Sequence, residues 1–324
     1  MTTIAGRQSA CHHRGSLKPL ECIPPWSLTK EEIRLSDTRR RRRRTPRRHD
    51  RSFSGELPII LLCWQGTFSD MMNTTPPQPA SVASVVQKAL PNIFYFQPVG
   101  NWPAQLYPMG PSVDQGYNEG VRLATKVHPN NLLFPFGYSQ GAICASHFLR
   151  DFIIPNKLQN RVAGGITFGN PCRSPGIANG NAWADWPMPG EIDGYVTGGI
   201  AGPDCLTAAQ TPDWWLDFVN TTTSDHGQTE LYANCPVGTN PWTAEAPPGK
   251  VGTSIYNVVQ QATVLDVLAV AKDLGVPVGL VEEIVNGFEF LGAQGAADHY
   301  TYPIQPAIDY LTNVIAPHHR ELNL

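Results

Sequence analysis

Between residues 56 and 169 the chain alternates continuous apolar runs with segments in which apolar residues recur at helical spacing. The continuous runs predict parallel strands that are buried on both faces. The segments with apolar residues three to four positions apart predict amphipathic helices. The predicted strands cover 57–64, 92–99, 132–138 and 162–169, and the predicted helices cover 81–90, 113–127 and 141–153. Such alternation with short connections predicts a doubly wound, mainly parallel sheet between layers of helices.

The pattern changes after residue 170. Residues 170–204 are rich in Gly, Pro and Trp and predict long surface loops. A short apolar run at 211–220 predicts one more strand. Apolar residues at helical spacing predict further helices at 253–274, 276–292 and 304–315.

Charge divides the chain into two parts. Residues 1–55 hold 14 Lys and Arg against 5 Asp and Glu, include the run RRRRRRTPRR from Arg39 to Arg48, and show no apolar periodicity. We expect this segment to be a disordered basic extension, because its charges repel one another and it has few apolar residues to bury. Residues 56–324 hold 10 Lys and Arg against 22 Asp and Glu. For this acidic domain a nucleic acid is not an expected partner.

The chain has 7 cysteines and no CxxC pair, so the sequence predicts no zinc site. Cys63 and Cys144 lie in predicted core elements, and we expect both to be buried thiols. Cys172, Cys205 and Cys235 lie in predicted loops, where a disulfide between two of them is an open alternative. An odd total is nevertheless not typical of a secreted disulfide scaffold.

Without a run of 18 apolar residues or an N-terminal apolar segment, we expect neither a membrane span nor a secretion signal.

One short motif gives the strongest indication of chemistry. The stretch Gly137-Tyr138-Ser139-Gln140-Gly141 matches G-x-S-x-G, with a predicted strand before it and a predicted helix after it. In this context the serine is held on a sharp turn, and the two glycines leave room for the neighbouring strand and helix. The motif predicts Ser139 as a nucleophile. It also predicts the N–H of Gln140, at the start of the helix, as one donor of an oxyanion hole.

A serine nucleophile requires a base and an acid, which follow it along the chain in strand–serine–helix enzymes of this kind. His299 precedes the last predicted helix, whereas two later histidines lie close to the C-terminus, so His299 is the predicted base. Glu230 and Asp225 both follow the strand at 211–220. Either carboxylate can hold the imidazole in the required tautomer, and the residue pattern alone does not choose between them.

Two further segments are expected to complete the site. The loop WQGTFSD at 64–70 follows the first strand, where a second oxyanion donor is expected, and Thr67 N–H is the predicted donor. Residues 236–298 separate the acid from the base and are too long for a simple loop. We expect this segment to be a helical insert that caps the active site, although its helices could equally complete the core.

Several motifs, taken in order, resemble those of one known family. They are QPVGNWPAQLYPMGPSV (97–113), FGYSQGAI (136–143), FGNPCR (168–173), ELYA (230–233) and HYTYP (299–303). Together they resemble the lysin B esterases of actinobacterial phages, which are α/β hydrolases related to cutinases. The resemblance implies a cutinase-like α/β-hydrolase domain at residues 56–324, a three-layer sandwich with a central, mainly parallel sheet and a helical insert at about 236–298.

The resemblance also implies an activity, which is hydrolysis of the ester between mycolic acids and arabinogalactan in the outer envelope of the phage's host. The protein would be made in the cytoplasm of the infected cell and would act on the envelope once lysis begins. Ser139 and His299 match the family's nucleophile and base. Glu230 stands where the family commonly has the aspartate of GDxYA, which favours Glu230 and leaves Asp225 as the alternative acid. A serine mechanism of this kind requires no metal or cofactor.

Two other functions are compatible with the same residues. A cutinase-like lipase or polyester hydrolase shares the triad and would be favoured by a secretion signal. A non-catalytic envelope-binding protein on a hydrolase scaffold would be favoured by a broken triad, whereas Ser139 and His299 both lie in suitable contexts.

Overall fold

A five-stranded parallel sheet forms the centre of the protein, in a computed structural model that describes residues 57–221, 230–238, 240, 247–261 and 297–321. The strands are β1 (Ile59–Trp64), β2 (Phe94–Pro98), β3 (Leu133–Tyr138), β4 (Gly165–Phe168), β5 (Glu191–Ile192), β6 (Tyr195–Gly198), β7 (Trp215–Phe218) and β8 (Cys235–Pro236). The main sheet has the order β2-β1-β3-β4-β7, and β5-β6-β8 form a small antiparallel sheet. In the main sheet β3 is central, so its C-terminal end lies in the middle of one sheet edge.

Helices follow most strands of the main sheet. They are α1 (Pro79–Ala89), α2 (Met109–Arg122), α3 (Gln140–His147), α4 (Asn179–Ala184), α5 (Pro247–Gln261), α6 (Ala297–Tyr300), α7 (Gln305–Tyr310) and α8 (Ala316–Glu321). Three π-helical turns, Leu123–Val127, Phe148–Ile153 and Leu311–Ile315, extend α2, α3 and α7. Among the described residues no helix combines the length and the apolar character needed to cross a bilayer.

Alternation along β1 explains the layers. Ile60, Leu62 and Trp64 contribute to one apolar cluster, which includes residues of α2, α3 and α5. Ile59, Leu61 and Cys63 point the other way, into a cluster that includes residues of α1 and α7. Because successive side chains of a strand point to opposite faces, a fully apolar strand requires a cover on both sides. The result is the three-layer arrangement that the sequence predicts.

The predicted strands and helices before residue 170 are all present. The prediction of loops alone over 170–204 was wrong, because α4, β5 and β6 lie there. These elements have only two to six residues and are separated by Gly and Pro, so they carry no detectable periodicity. Pro135 is tolerated in the central strand since pairing with β4 begins one residue later, at Phe136.

Five cysteines fall within the described residues, and all are buried free thiols: Cys63, Cys144, Cys172, Cys205 and Cys235. This confirms the prediction for the first two, and no disulfide joins the other three. Burial raises the pKa of each thiol above its ordinary value. The predicted basic extension and residues 262–296 of the predicted insert lie outside the described residues, so both assignments stay predictions.

Candidate active site

Ser139 occupies the turn between the central strand β3 and helix α3. Its backbone has φ 55° and ψ −122°, a conformation that non-glycine residues rarely adopt and that costs about 1–3 kcal/mol. The Ser139 N–H donates to the carbonyl oxygen of Phe168 at 3.1 Å, which ties the turn to the end of β4. The strained turn presents the Ser139 side chain to a cavity at this sheet edge.

The glycines on either side of Ser139 are sterically required. A Cβ at Gly137 would lie 2.6 Å from Cα of Ala142, and a Cβ at Gly141 would overlap the carbonyl oxygen of Trp64. Because these obstacles are main-chain atoms, neither position can accept a larger residue without moving the strand or the helix. The G-x-S-x-G spacing therefore follows from the packing of α3 against β1 and β3.

The structure brings Glu230 and His299 together across 69 residues of chain. His299 Nδ1 lies 2.8 Å from Glu230 Oε1, and the two residues are only 3% and 2% exposed. Since a carboxylate accepts hydrogen bonds, this contact places the proton on Nδ1. Nε2 is then left as the proton acceptor. It is buried and makes no hydrogen bond within the described residues, as expected of a base whose contacts tighten when a substrate binds.

The second carboxylate oxygen of Glu230 is also held. Oε2 accepts from the main-chain N–H of Ala233 at 3.0 Å and from the Tyr302 hydroxyl at 3.2 Å. The Tyr302 hydroxyl in turn accepts from the N–H of Asn220 at 3.3 Å. Because both oxygens have donors, the carboxylate cannot rotate away from His299 without losing hydrogen bonds.

Aromatic rings enclose the imidazole of His299. The Tyr138 ring stacks on it with 5.1 Å between centroids and 29° between planes, and Tyr232 packs on it at 4.5 Å. The Tyr138 hydroxyl donates to the main-chain oxygen of His299 at 3.0 Å. Burial raises the pKa of the Tyr138 and Tyr232 hydroxyls well above the ordinary value, so both remain protonated donors at neutral pH. Gly169, at φ 53°, leaves room on another side, since a Cβ there would lie 2.6 Å from His299 Cε1.

The loop after β1 is held in place by a buried glutamine. Gln78 Oε1 accepts from the N–H of Gly66 at 2.8 Å, and its Nε2 donates to Ser69 Oγ at 2.7 Å. One side-chain amide thus spans the segment that contains Thr67. Among the described residues the Thr67 N–H donates to no main-chain oxygen, and the N–H of Gln140, in the first turn of α3, has no partner within the helix.

A cavity of about 250 Å³ joins these groups. Ser139, His299, Thr67 and Gln140 all line it. The rest of its wall is mainly apolar: Phe68, Leu106, Met109, Ile143, Ile200, Leu231, Ile255 and Val259. The described lining contains no Asp, Glu, Lys or Arg. In such an apolar surrounding a hydrogen bond to a developing negative charge is stronger than in water.

Another buried carboxylate near this sheet edge does not contact His299. Asp217 on β7 accepts hydrogen bonds from the Thr167 hydroxyl and, at 2.8 Å, from Asn170 Nδ2. Burial raises the pKa of Asp217, although these two donors oppose that rise. Asp217 also lies between Ser139 and His299 along the chain, where an acid is expected, but its described contacts connect β7 to β4 and do not include the predicted base, His299.

A polar cluster anchors the cavity wall formed by α5. Asp204 accepts from Arg150 Nη1 at 2.6 Å and from the Tyr256 hydroxyl at 2.5 Å, and it lies 2.9 Å from His147 Nε2. Burial alone would raise the pKa of Asp204, but His147, Tyr256 and Arg150 hold it well below its ordinary value. The ligand atoms of His147, Cys172 and Asp204 lie within 4.8 Å of one another. Because Arg150 already neutralises Asp204, this cluster fits a structural anchor better than a metal centre.

Sequence reasoning thus located most of the site but not its supports. Ser139, His299, Thr67 and Gln140 share the cavity, and Glu230 binds His299. Asp225 lies outside the described residues, and the catalytic roles of all these residues stay predictions. The roles of Tyr302 and Gln78 were missed. Tyr302 lies in the HYTYP stretch, whereas no pattern in the sequence marks Gln78.

Comparison with known proteins agrees with this arrangement. Over 128 residues the chain is 32% identical to endolysin B of Mycobacterium phage D29 and, likewise, to endolysin B of Mycobacterium phage L5. This confirms the predicted resemblance as homology over the matched segment. The segment is 37% of this chain and 50% of each relative, so the chain spans about half the length of the curated relatives it matches. No family model matches the chain.

A solved structure supports the fold. The crystal structure of lysin B from mycobacteriophage D29 aligns with a TM-score of 0.52, covering 79% of this chain and 99% of that chain at 22% identity. Together with the parallel sheet and the turn at Ser139, this similarity confirms the α/β-hydrolase fold.

Proposed function

We propose that this chain is a serine esterase of the lysin B type, which hydrolyses the ester between mycolic acids and arabinogalactan in the envelope of a phage's host. The observation that carries the proposal is the 2.8 Å contact of Glu230 with His299, whose side chain lines one apolar cavity together with the strained Ser139. The homology to endolysin B supports the same activity. Action at the envelope after lysis begins follows from this proposal.

In the proposed acylation step Glu230 holds the Nδ1 proton of His299, which leaves Nε2 free to accept a proton. Nε2 takes the hydroxyl proton of Ser139 as the serine oxygen bonds to the ester carbonyl carbon. The main-chain N–H groups of Thr67 and Gln140 stabilise the oxyanion that forms. The tetrahedral intermediate collapses, the sugar alcohol leaves, and His299 returns the proton to its oxygen.

The deacylation step uses the same groups with water as the nucleophile. His299 removes a proton from water, which attacks the acyl carbonyl carbon, and the proton then returns to Ser139 Oγ as the fatty acid leaves. The imidazolium formed in both steps is stabilised by the buried Glu230 carboxylate. Because that carboxylate keeps donors on both oxygens, it needs no reorganisation when the charge appears.

The cavity favours a lipid ester as the substrate. Its wall is apolar, and Phe68 at its rim is 77% exposed. An acyl chain that leaves water for this wall gains about 0.8 kcal/mol per buried methylene group. A charged or strongly polar acyl group would lose hydration without gaining a described charged partner in the lining.

Purified wild type and Ser139→Ala should be compared on a short-chain p-nitrophenyl ester and on isolated mycolyl-arabinogalactan. We expect the wild type to release both p-nitrophenol and free mycolic acid, and Ser139→Ala to release neither above background. Ser84→Ala on α1 serves as the matched control and should behave as the wild type. A fluorophosphonate probe should label the wild type at Ser139 only.

The alternatives predict different results. A cutinase-like lipase or polyester hydrolase would cleave triacylglycerol or polyester far faster than mycolyl-arabinogalactan. A non-catalytic envelope-binding protein would bind the isolated envelope without labelling by the probe or ester turnover. Either outcome would refute the proposed activity.

A further inference from the structure

Arg173 is fully buried beside the turn that carries Glu230. Its exposed fraction is 0%, and within the described part of the chain it forms no ion pair. Its guanidinium donates from Nε to the carbonyl oxygen of Ala233 at 2.6 Å. It also donates from Nη1 to the carbonyl oxygen of Ile177 at 2.9 Å and from Nη2 to Thr197 Oγ1 at 3.1 Å. Nη1 also donates to the carbonyl oxygen of Ser174 at 3.4 Å. All four acceptors are neutral.

A charge in this position is costly. Removal of a cation from water carries a penalty of several kcal/mol unless other charges or dipoles compensate for it, and burial lowers the pKa of Arg173. The negative charges of Asp217 and Glu230 oppose this effect without direct contact. Arg173 therefore forms hydrogen bonds to main-chain and hydroxyl oxygens, and two buried carboxylates stabilise its charge without touching it.

Ala233 connects Arg173 to the proposed catalytic acid. Its carbonyl oxygen accepts from Arg173 Nε, and its N–H donates to Glu230 Oε2. The carbonyl oxygen of Glu230 also accepts from the Asn234 N–H at 2.9 Å, which closes the turn. Movement of Ala233 would shift a donor on which the Glu230 carboxylate depends, and through it the 2.8 Å contact to His299.

We propose that Arg173 is a positioning residue of the esterase, which fixes the Glu230 turn through the Ala233 carbonyl and thereby holds the carboxylate against His299. This inference rests on the proposed function. It assigns Arg173 no contact with the substrate.

Three variants test the proposal by kcat and KM on a short-chain ester. Arg173→Lys keeps the charge but loses the planar fork, so kcat should fall about 10²-fold with an unchanged KM, because Arg173 does not line the cavity. Arg173→Met loses both the charge and the fork, so kcat should fall at least as far, again with an unchanged KM. Arg161→Lys is the matched control, because Arg161 also binds main-chain carbonyls but lies near the opposite end of β3. It should keep the wild-type kcat and KM.

Circular dichroism separates positioning from folding. A fall in activity that only tracks the loss of folded protein, with the kcat of the folded fraction unchanged, would overturn the proposal. If Arg173→Met does not fold, Arg173→Lys decides: a folded variant with reduced kcat supports the proposal, and a wild-type kcat overturns it. An inactive wild type would overturn the proposed function and this inference together, whereas an active wild type with a fully active Arg173→Lys would overturn only the inference.

Discussion

The replacement of Glu230 by Gln is the most direct test of the proposed acid. The two side chains have nearly the same shape, so the change mainly replaces one oxygen by an NH2 group. In the wild type two donors, the Ala233 N–H and the Tyr302 hydroxyl, meet at Oε2. The NH2 group cannot occupy that position, because it would face both donors. It must therefore point at His299 Nδ1.

The consequence is the wrong tautomer of His299. With an NH2 donor in front of it, Nδ1 becomes an acceptor and the proton moves to Nε2, which can then no longer take the Ser139 proton. The wrong histidine tautomer in a serine triad lowers kcat about 10⁴-fold. This loss corresponds to about 5 kcal/mol in the activation free energy. The fold should be retained, because most hydrogen bonds at the site keep a partner.

The assay is kcat on a short-chain p-nitrophenyl ester, with circular dichroism to check folding and ¹⁵N NMR of the histidine rings to report the tautomer. Asp225→Asn is the matched control, since it removes the alternative carboxylate. We expect it to keep near wild-type kcat. If Glu230→Gln keeps more than about a tenth of the wild-type kcat, the tautomer argument is wrong. If Asp225→Asn alone abolishes turnover, Asp225 is the acid.

Three further predictions concern the supports of the site. Gln78→Leu should misplace Thr67 and lower kcat about 10²–10³-fold with little change in KM, as for a lost oxyanion donor; an unchanged kcat would remove Thr67 from the oxyanion hole. Gly169→Ala should push His299 out of place, which should lower kcat and, through strain at positive φ, reduce the free energy of unfolding by about 1 kcal/mol or more in urea denaturation; full activity would contradict the packing argument. Asp204→Asn should lower the free energy of unfolding by about 2 kcal/mol at pH 7. Because its partners depress the pKa of Asp204, this stabilisation is complete above about pH 4 and is lost as pH falls through the folded-state value, so urea curves of wild type and variant should converge in acid; a gap that persists in strong acid would refute this origin.

The sequence predicted best what depends on local chemistry. Strands buried on both faces produce continuous apolar runs, and the turn at Ser139 requires glycines at fixed neighbouring positions, so both leave a readable pattern. His299 is the predicted base because of its order along the chain. The residue pattern does not choose between Glu230 and Asp225 as the acid, since the two are only five positions apart.

The contacts of Arg173 and Tyr302 were not predicted because they join distant parts of the chain. Arg173 and Ala233 are 60 positions apart, and Tyr302 and Glu230 are 72 positions apart. Such contacts are set by the packing of whole elements rather than by spacing in the sequence. The small sheet β5-β6-β8 escaped for another reason, since strands of two to four residues are too short to show alternation.

The wall of the cavity and the proposed catalytic residues have separate attachments. Helix α5 contributes Ile255 and Val259 to the lining, and the Tyr256 hydroxyl binds the helix to Asp204 rather than to Glu230 or His299. Selection can therefore enlarge or narrow the space for the acyl group at these two aliphatic positions while the proton-transfer apparatus keeps its alignment. Under the proposed function, chain-length preference would therefore be retuned through this one helix, at little cost in turnover.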